Sequence, residues 1–140
     1  MKPVKHSVAV AVFHPDGRVL AVQRPADDED LPNAWGLPAA SLRSQEDWER
    51  AAMRAGRDKL GVTFELLGEL TRGESERADY RLQMRLYEAR VVNGAPHVPQ
   101  PSAGVTQYRD WCWADPELLR PAADSGSLCC QLFLQTKTDS

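Results

Sequence analysis

Side chains able to do acid–base, metal or thiol chemistry fall into a few groups along this chain. Four consecutive acids, Asp27, Asp28, Glu29 and Asp30, form a run of the kind usually found in a solvated loop, or standing guard beside a nearby site. Glu46, Asp47 and Glu49 open a helical segment, where the helix dipole favours carboxylates. Cys112, Cys129 and Cys130 are an odd count with no framework spacing, which points to reduced thiols. Adjacent Cys129 and Cys130 point in different directions on either a helix or a strand. They read as small core residues rather than a zinc site. His6 and His14 flank one apolar run and read as edge residues, with no partners for a metal.

The elements that must position these groups follow from periodicity. Residues 7–13 (SVAVAVF) are apolar and β-branched, fit for a strand buried on both faces. His14-Pro15-Asp16-Gly17 supplies turn chemistry, and residues 18–24 read as a second strand, so the pair predicts a hairpin. After the irregular 25–34 segment and the short apolar run 35–39, Ser44 is the expected N-cap, with Asp47 completing a box-like reciprocal cap. Trp48, Ala51, Ala52 and Ala55 recur at helical spacing as one buried face. Gly61 ends the helix as a C′ glycine. Gly56 is out of place in a helix interior, at a cost of about 1 kcal/mol relative to Ala.

Downstream, residues 62–70 predict a strand, 73–79 a polar loop and 80–92 a long half-buried strand closed by an Asn93-Gly94 turn. Residues 96–104 hold three prolines and read as loop. Trp111-Cys112-Trp113 is a short strand, Asp115-Pro116-Glu117 opens a helical turn, and residues 125–135 predict the last helix. The fold class is mixed α+β, with residues 1–140 as a single domain.

The totals exclude some functions. A net charge of −3 and a pI near 5.6 argue against a nucleic-acid binder. The arginines are scattered rather than striped. No stretch approaches the ~20 apolar residues of a membrane span, and no apolar leader with a cleavage site opens the chain. These features predict a cytoplasmic protein that uses neither membrane nor nucleic acid.

Ala21-Val22-Gln23-Arg24, then Trp35-Gly36-Leu37-Pro38, then a loop into a helix closed by Leu60-Gly61-Val62, together resemble a Nudix hydrolase of the MutT-like kind. The likeness runs through residues 80–92 and the Trp113-Ala114-Asp115-Pro116-Glu117-Leu118 step. It implies the Nudix fold, a mixed β-sheet sandwiched between helices. The family signature is G, five residues, E, seven residues, R-E-U, one residue, E-E, one residue, G-U, with U a bulky aliphatic. Glu46 falls on the first Glu, Arg54 on the Arg, and Gly61-Val62 on the closing pair. The signature Gly is Ala40, preceded by Ala39. The Glu after the Arg is Ala55, the aliphatic is Gly56, and the paired glutamates are Asp58 and Lys59.

Positions 55, 58 and 59 share one helix face. Three carboxylates there would suit Mg²⁺, which wants hard oxygen ligands and bridges to substrate phosphates. Here the face carries Ala55, Asp58 and Lys59, so the resemblance implies weak Mg²⁺ binding at most. The ammonium of Lys59 falls where a metal cation is expected. Asp58 and the Ala39 carbonyl are the candidate metal ligands, Glu46, Arg54 and Asp58 the candidate catalytic residues, and Lys59 the candidate phosphate contact. Glu46 and Arg54 also suit a structural pair that holds the loop on the helix. The family often adds a further acid shortly before the late Trp. Here the acid in that region is Asp110, at a short spacing to Trp113, and Glu74, Glu76, Asp79 and Glu88 are other possible substitutes with nothing to single one out.

Three readings follow. The first is a Nudix-family phosphohydrolase acting on a nucleoside diphosphate linked to another group, with activity weakened or altered by the degenerate active site. The alternative is a catalytically inactive Nudix fold that binds a nucleotide or phosphorylated small molecule. The third is a partner-binding domain, which an exposed apolar patch of Leu128, Leu132 and Phe133 would favour. A homodimer is a possible assembly for each.

Overall fold

The computed structural model describes residues 2–102 and 104–138. Strand β1 (Val4–Val12) is one of the two inner strands of a four-stranded sheet. It pairs antiparallel with β4 (Ala39–Ser41) and parallel with β6 (Arg81–Asn93), which in turn pairs antiparallel with β5 (Thr63–Glu76). A smaller sheet joins β2 (Val19–Gln23) to β3 (Trp35–Gly36) on one side and β7 (Asp110–Ala114) on the other. The helices are α1 (Trp48–Leu60), α2 (Arg120–Asp124), which continues a 3₁₀ turn at Pro116–Leu119, and α3 (Leu128–Thr138). Among the described residues, no helix is long and apolar enough to cross a membrane.

The apolar run in β1 is buried on both faces because its side chains alternate across the sheet. Val8, Val10 and Val12 join a core with Ala51, Ala52, Leu60 and Phe64 under α1. Ala9 and Ala11 join another with Cys129, Cys130, Leu132 and Phe133 of α3. The mixed sheets thus lie between helices, in agreement with the sequence reading. Burying each valine contributes roughly 1.5–3 kcal/mol.

Several expectations are corrected. β1 and β2 do not form a hairpin. They belong to different sheets and touch through one isolated Phe13–Val19 bridge. Turn chemistry at residues 14–17 reverses the chain, but β1 finds its long partner in β6, where nine residue pairs stand in register. Asp47, not Ser44, caps α1: its carboxylate accepts from the Arg50 N–H at 2.7 Å. The helix therefore starts at Trp48, and Glu46 lies before it. The 73–79 segment is strand as far as Glu76, because β6 offers it a ladder to Arg81. Leu128, Leu132 and Phe133 are buried, so the patch that would have marked a docking helix belongs to the core.

One glycine within α1 and one at its end have specific reasons. Gly61 takes the left-handed conformation at φ 70° and caps the helix. Gly56 makes room for Phe64: a Cβ at 56 would meet its ring at 2.8 Å and the Val62 carbonyl at 3.1 Å. The helix-propensity cost at Gly56 is offset by that close approach of β5.

Candidate functional site

The loop from β4 into α1 is fastened by Arg54. Its Nε donates to Glu46 Oε2 at 2.9 Å, and its Nη2 donates to Glu46 Oε1 at 3.0 Å and to the Ser41 carbonyl at 2.7 Å. Glu46 Oε1 also accepts from the Arg43 N–H. The pair is well buried, at 8% and 13% side-chain exposure. Hydrogen bonds from Arg54 hold the Glu46 carboxyl below its ordinary range, against the opposing effect of burial. Two candidate catalytic residues are therefore brought together, and their polar atoms are spent on each other and on the loop backbone.

One turn further along α1, Lys59 reaches back to β4. Its Nζ donates to the Ala39 carbonyl at 2.6 Å and lies 5.1 Å from the centre of the Tyr108 ring. Burial, helped by the nearby positive charges of Arg54 and Arg24, pushes the Lys59 ammonium down to about 8. The Tyr108 hydroxyl accepts from the Ala39 N–H at 3.0 Å and lies 3.3 Å from the Ala39 carbonyl. Its acidity is lowered further by complete burial. Gln107, beside it, donates to the Asp58 carbonyl at 3.1 Å and accepts from the Gln100 N–H. The segment before β7 thus straps the end of α1. Tyr108 was not singled out by the sequence, because its partner at Ala39 lies 69 residues away. The only signal was an aromatic side chain just ahead of β7.

The donor set does not fit Mg²⁺. Ala55 brings no ligand and is fully buried. The Asp58 carboxylate lies against Arg57 Nε at 3.1 Å. The Ala39 carbonyl already accepts the Lys59 ammonium, and Glu46 is held by Arg54. Among the described residues, no three His, Cys, Asp or Glu side chains cluster in a way that could hold a metal ion. Of the other acids, Glu76 pairs with Lys2 and Arg81, Glu74 accepts from Gln83, and Asp110 caps its own strand at the Trp111 N–H. Only Asp79 of that group lines the cavity that Ala39 and Lys59 border.

Ala39 and Lys59 line a cavity of about 590 Å³ at the ends of both sheets. Its wall includes Lys5 and Ser7 from β1, Arg24, Tyr108, Arg77 and the entry to α3 at Ser127 and Leu128. Asp28 and Asp30 of the acidic run also line it, so that run borders the site as well as solvent. Asp28 is tied down by Arg24 at 3.2 Å and by the Leu31 N–H at 2.8 Å. Lys59 and Arg24 thus bring an ammonium and a guanidinium to this wall, the guanidinium paired with Asp28.

The sequence pattern of the NUDIX domain family matches residues 3–128. A comparison with curated proteins found no match. Among solved structures, the chain is similar to a NUDIX hydrolase from Nitrosomonas europaea, with a TM-score of 0.77 and 16% identity over 99% of this chain and 90% of that one. It is also similar to an Ap4A hydrolase from C. elegans (TM-score 0.68, 16% identity, 98% and 96% covered). A third is an ADP-ribose pyrophosphatase from Streptococcus suis (TM-score 0.63, 14% identity, 95% and 91% covered). At these identities the structural likeness speaks for the fold alone.

Proposed function

We propose a function from one premise: this chain belongs to the Nudix family. It binds a nucleoside diphosphate linked to another group in the cavity between the sheet ends. Lys59 supplies there the positive charge that faces the diphosphate, and hydrolysis is slow or absent. The observation that carries this reading is the 2.6 Å contact of Lys59 Nζ with the Ala39 carbonyl. That carbonyl is one of the two ligands the family resemblance leaves for a metal, and a tethered cation already occupies it.

The physical support is direct. A lysine is a point charge that holds phosphate without a metal. Catalysis is another matter. Removing a single charge-stabilising group often lowers a rate by about 10²–10³. Here the acids expected at 55 and 59 are both missing, and Asp58 is the only carboxylate left on that helix face. Glu46 and Arg54 act by positioning the β4–α1 loop. The ligand class draws on two proteins of the same fold, described as an ADP-ribose pyrophosphatase and an Ap4A hydrolase. Both names denote compounds in which phosphates link a nucleoside to a second group.

Calorimetric titration of ADP-ribose into the full chain in EDTA tests this. The wild type is expected to bind, and Lys59→Gln to bind at least tenfold more weakly. A parallel panel of nucleotide diphosphates with Mg²⁺ or Mn²⁺ should give little phosphate-bond cleavage. Binding that requires the metal, or brisk hydrolysis by the wild type, would overturn the reading.

A further inference from the structure

The cavity has a second cationic corner, remote in sequence from α1. Arg77, in the turn between β5 and β6, lines the wall together with Lys5 and the 125–128 segment that leads into α3. Its Nη2 donates to the Gly126 carbonyl at 3.0 Å. Its Nε is buried and has no acceptor. Lys5 Nζ stands 4.3 Å from the Tyr80 ring centre, on the same stretch of wall. Arg24 is neutralised by Asp28, but among the described residues no carboxylate lies within ion-pair distance of Lys5, Lys59 or Arg77.

These facts separate Arg77 from an ordinary fastening residue. Holding the Gly126 carbonyl takes one N–H and no charge. Here a full guanidinium is spent on it, uncompensated, with one donor left over inside the wall. A guanidinium presents its donors in a fixed fork that matches the oxygens of a phosphate. The acids on the cavity wall apart from Asp28 are Asp30 and Asp79, both exposed, as is Lys5, whereas Arg77 is half-buried. Charges in water are screened, so the half-buried Arg77 guanidinium carries the corner, and the two acids weaken it less than a buried partner would.

We infer that Arg77 and Lys5 form a second anion subsite, which takes a phosphate of the ligand separate from the diphosphate that Lys59 faces. This rests on the proposed ligand site and extends it. The preferred ligand carries two separated anionic groups, one for each cationic corner of the same cavity.

The test follows amide and arginine Nε–H resonances of the full chain by NMR. The probes are inorganic phosphate, ADP, and adenosine 3′-phosphate 5′-diphosphate. Phosphate is expected to move the Arg77 Nε–H and the Gly126 and Ser127 amides. ADP should move Ala39 and Ala40, and the doubly phosphorylated probe both sets. It should also bind about tenfold more tightly than ADP, the effect of one good charge-assisted contact. Arg77→Gln should abolish that preference and leave ADP affinity within twofold. Arg77→Lys, which keeps the charge and loses the fork, should retain part of it, so a loss of packing at Gly126 is told apart from a loss of binding. No phosphate-induced shift at Arg77, even at tens of millimolar, overturns the inference and leaves the proposed function standing if ADP still moves Ala39. Shifts by phosphate without any preference for the doubly phosphorylated probe overturn the claim about the ligand. Shifts by phosphate with none by ADP support the subsite and overturn the proposed function.

Discussion

Replacing Arg54 by methionine removes the fastening of the β4–α1 loop while filling much of the same volume. Three hydrogen bonds disappear, two to Glu46 and one to the Ser41 carbonyl. The Glu46 carboxylate then remains well buried, with the Arg43 N–H as its surviving partner. Breaking a buried ion pair by removing one member costs roughly 3–5 kcal/mol. Since both side chains keep a little solvent contact, about 3 kcal/mol is expected for Arg54→Met. For a chain of this length that corresponds to about 10 °C in melting temperature. The loss should depend on pH. Arg54 holds the Glu46 carboxyl below its ordinary value of 4.5, so the stabilisation is present above that value and fades as pH falls through the lowered one. Thermal and denaturant unfolding of both proteins at pH 7 and at stepwise lower pH is the assay. A gap under about 1 kcal/mol at pH 7 would refute the clamp. So would a gap that stays constant below pH 4.5, because the carboxylate would then have no part in it.

Gly56→Ala should destabilise the protein by about 1–3 kcal/mol through overpacking against Phe64, although helix propensity alone would give a gain of about 1 kcal/mol; chemical denaturation reads the sign. Burial pushes Lys59 down to about 8 from 10.5, so the unfolded chain binds more protons between those values. Wild-type stability should therefore rise with pH across that window by up to about 3 kcal/mol relative to Lys59→Met, and parallel pH profiles of the two proteins would remove the basis for it. Ala55→Glu with Lys59→Glu, and Asp58→Glu if needed, should rebuild a magnesium site. Position 55 is fully buried, so the new carboxylate lowers the melting temperature until Mg²⁺ restores it, with phosphate release above wild type. A variant that folds yet shows neither effect would put the register of the helix face in error.

Much of the site was legible because it is local. Glu46, Arg54 and Gly61 stand at spacings that place them just before, within and at the end of one helix, and the structure brings Glu46 to Arg54 within hydrogen-bond reach. The double-sided burial of β1 was equally plain from its unbroken apolar run. What escaped depends on distant partners. Turn chemistry after β1 suggested a hairpin, but strand pairing is decided by what arrives later in the chain, here β6. Ser44 has the right side chain for a cap, yet Gln45 takes a positive φ of 63° and the helix begins only after Asp47. Arg77 carries no local pattern, and Tyr108 only an aromatic side chain just ahead of β7. Each matters through a backbone carbonyl on an element far away, at Ala39 and Gly126.

The central claim is that the α1 face holds an ammonium in place of a metal. Calorimetric titration of Mg²⁺ into the metal-free wild-type chain at pH 7 tests it most directly. The expected result is no site tighter than about 1 mM, an affinity of roughly 4 kcal/mol. A stoichiometric site in the micromolar range would contradict it, because Lys59, Ala55 and a lone Asp58 have no means of providing one.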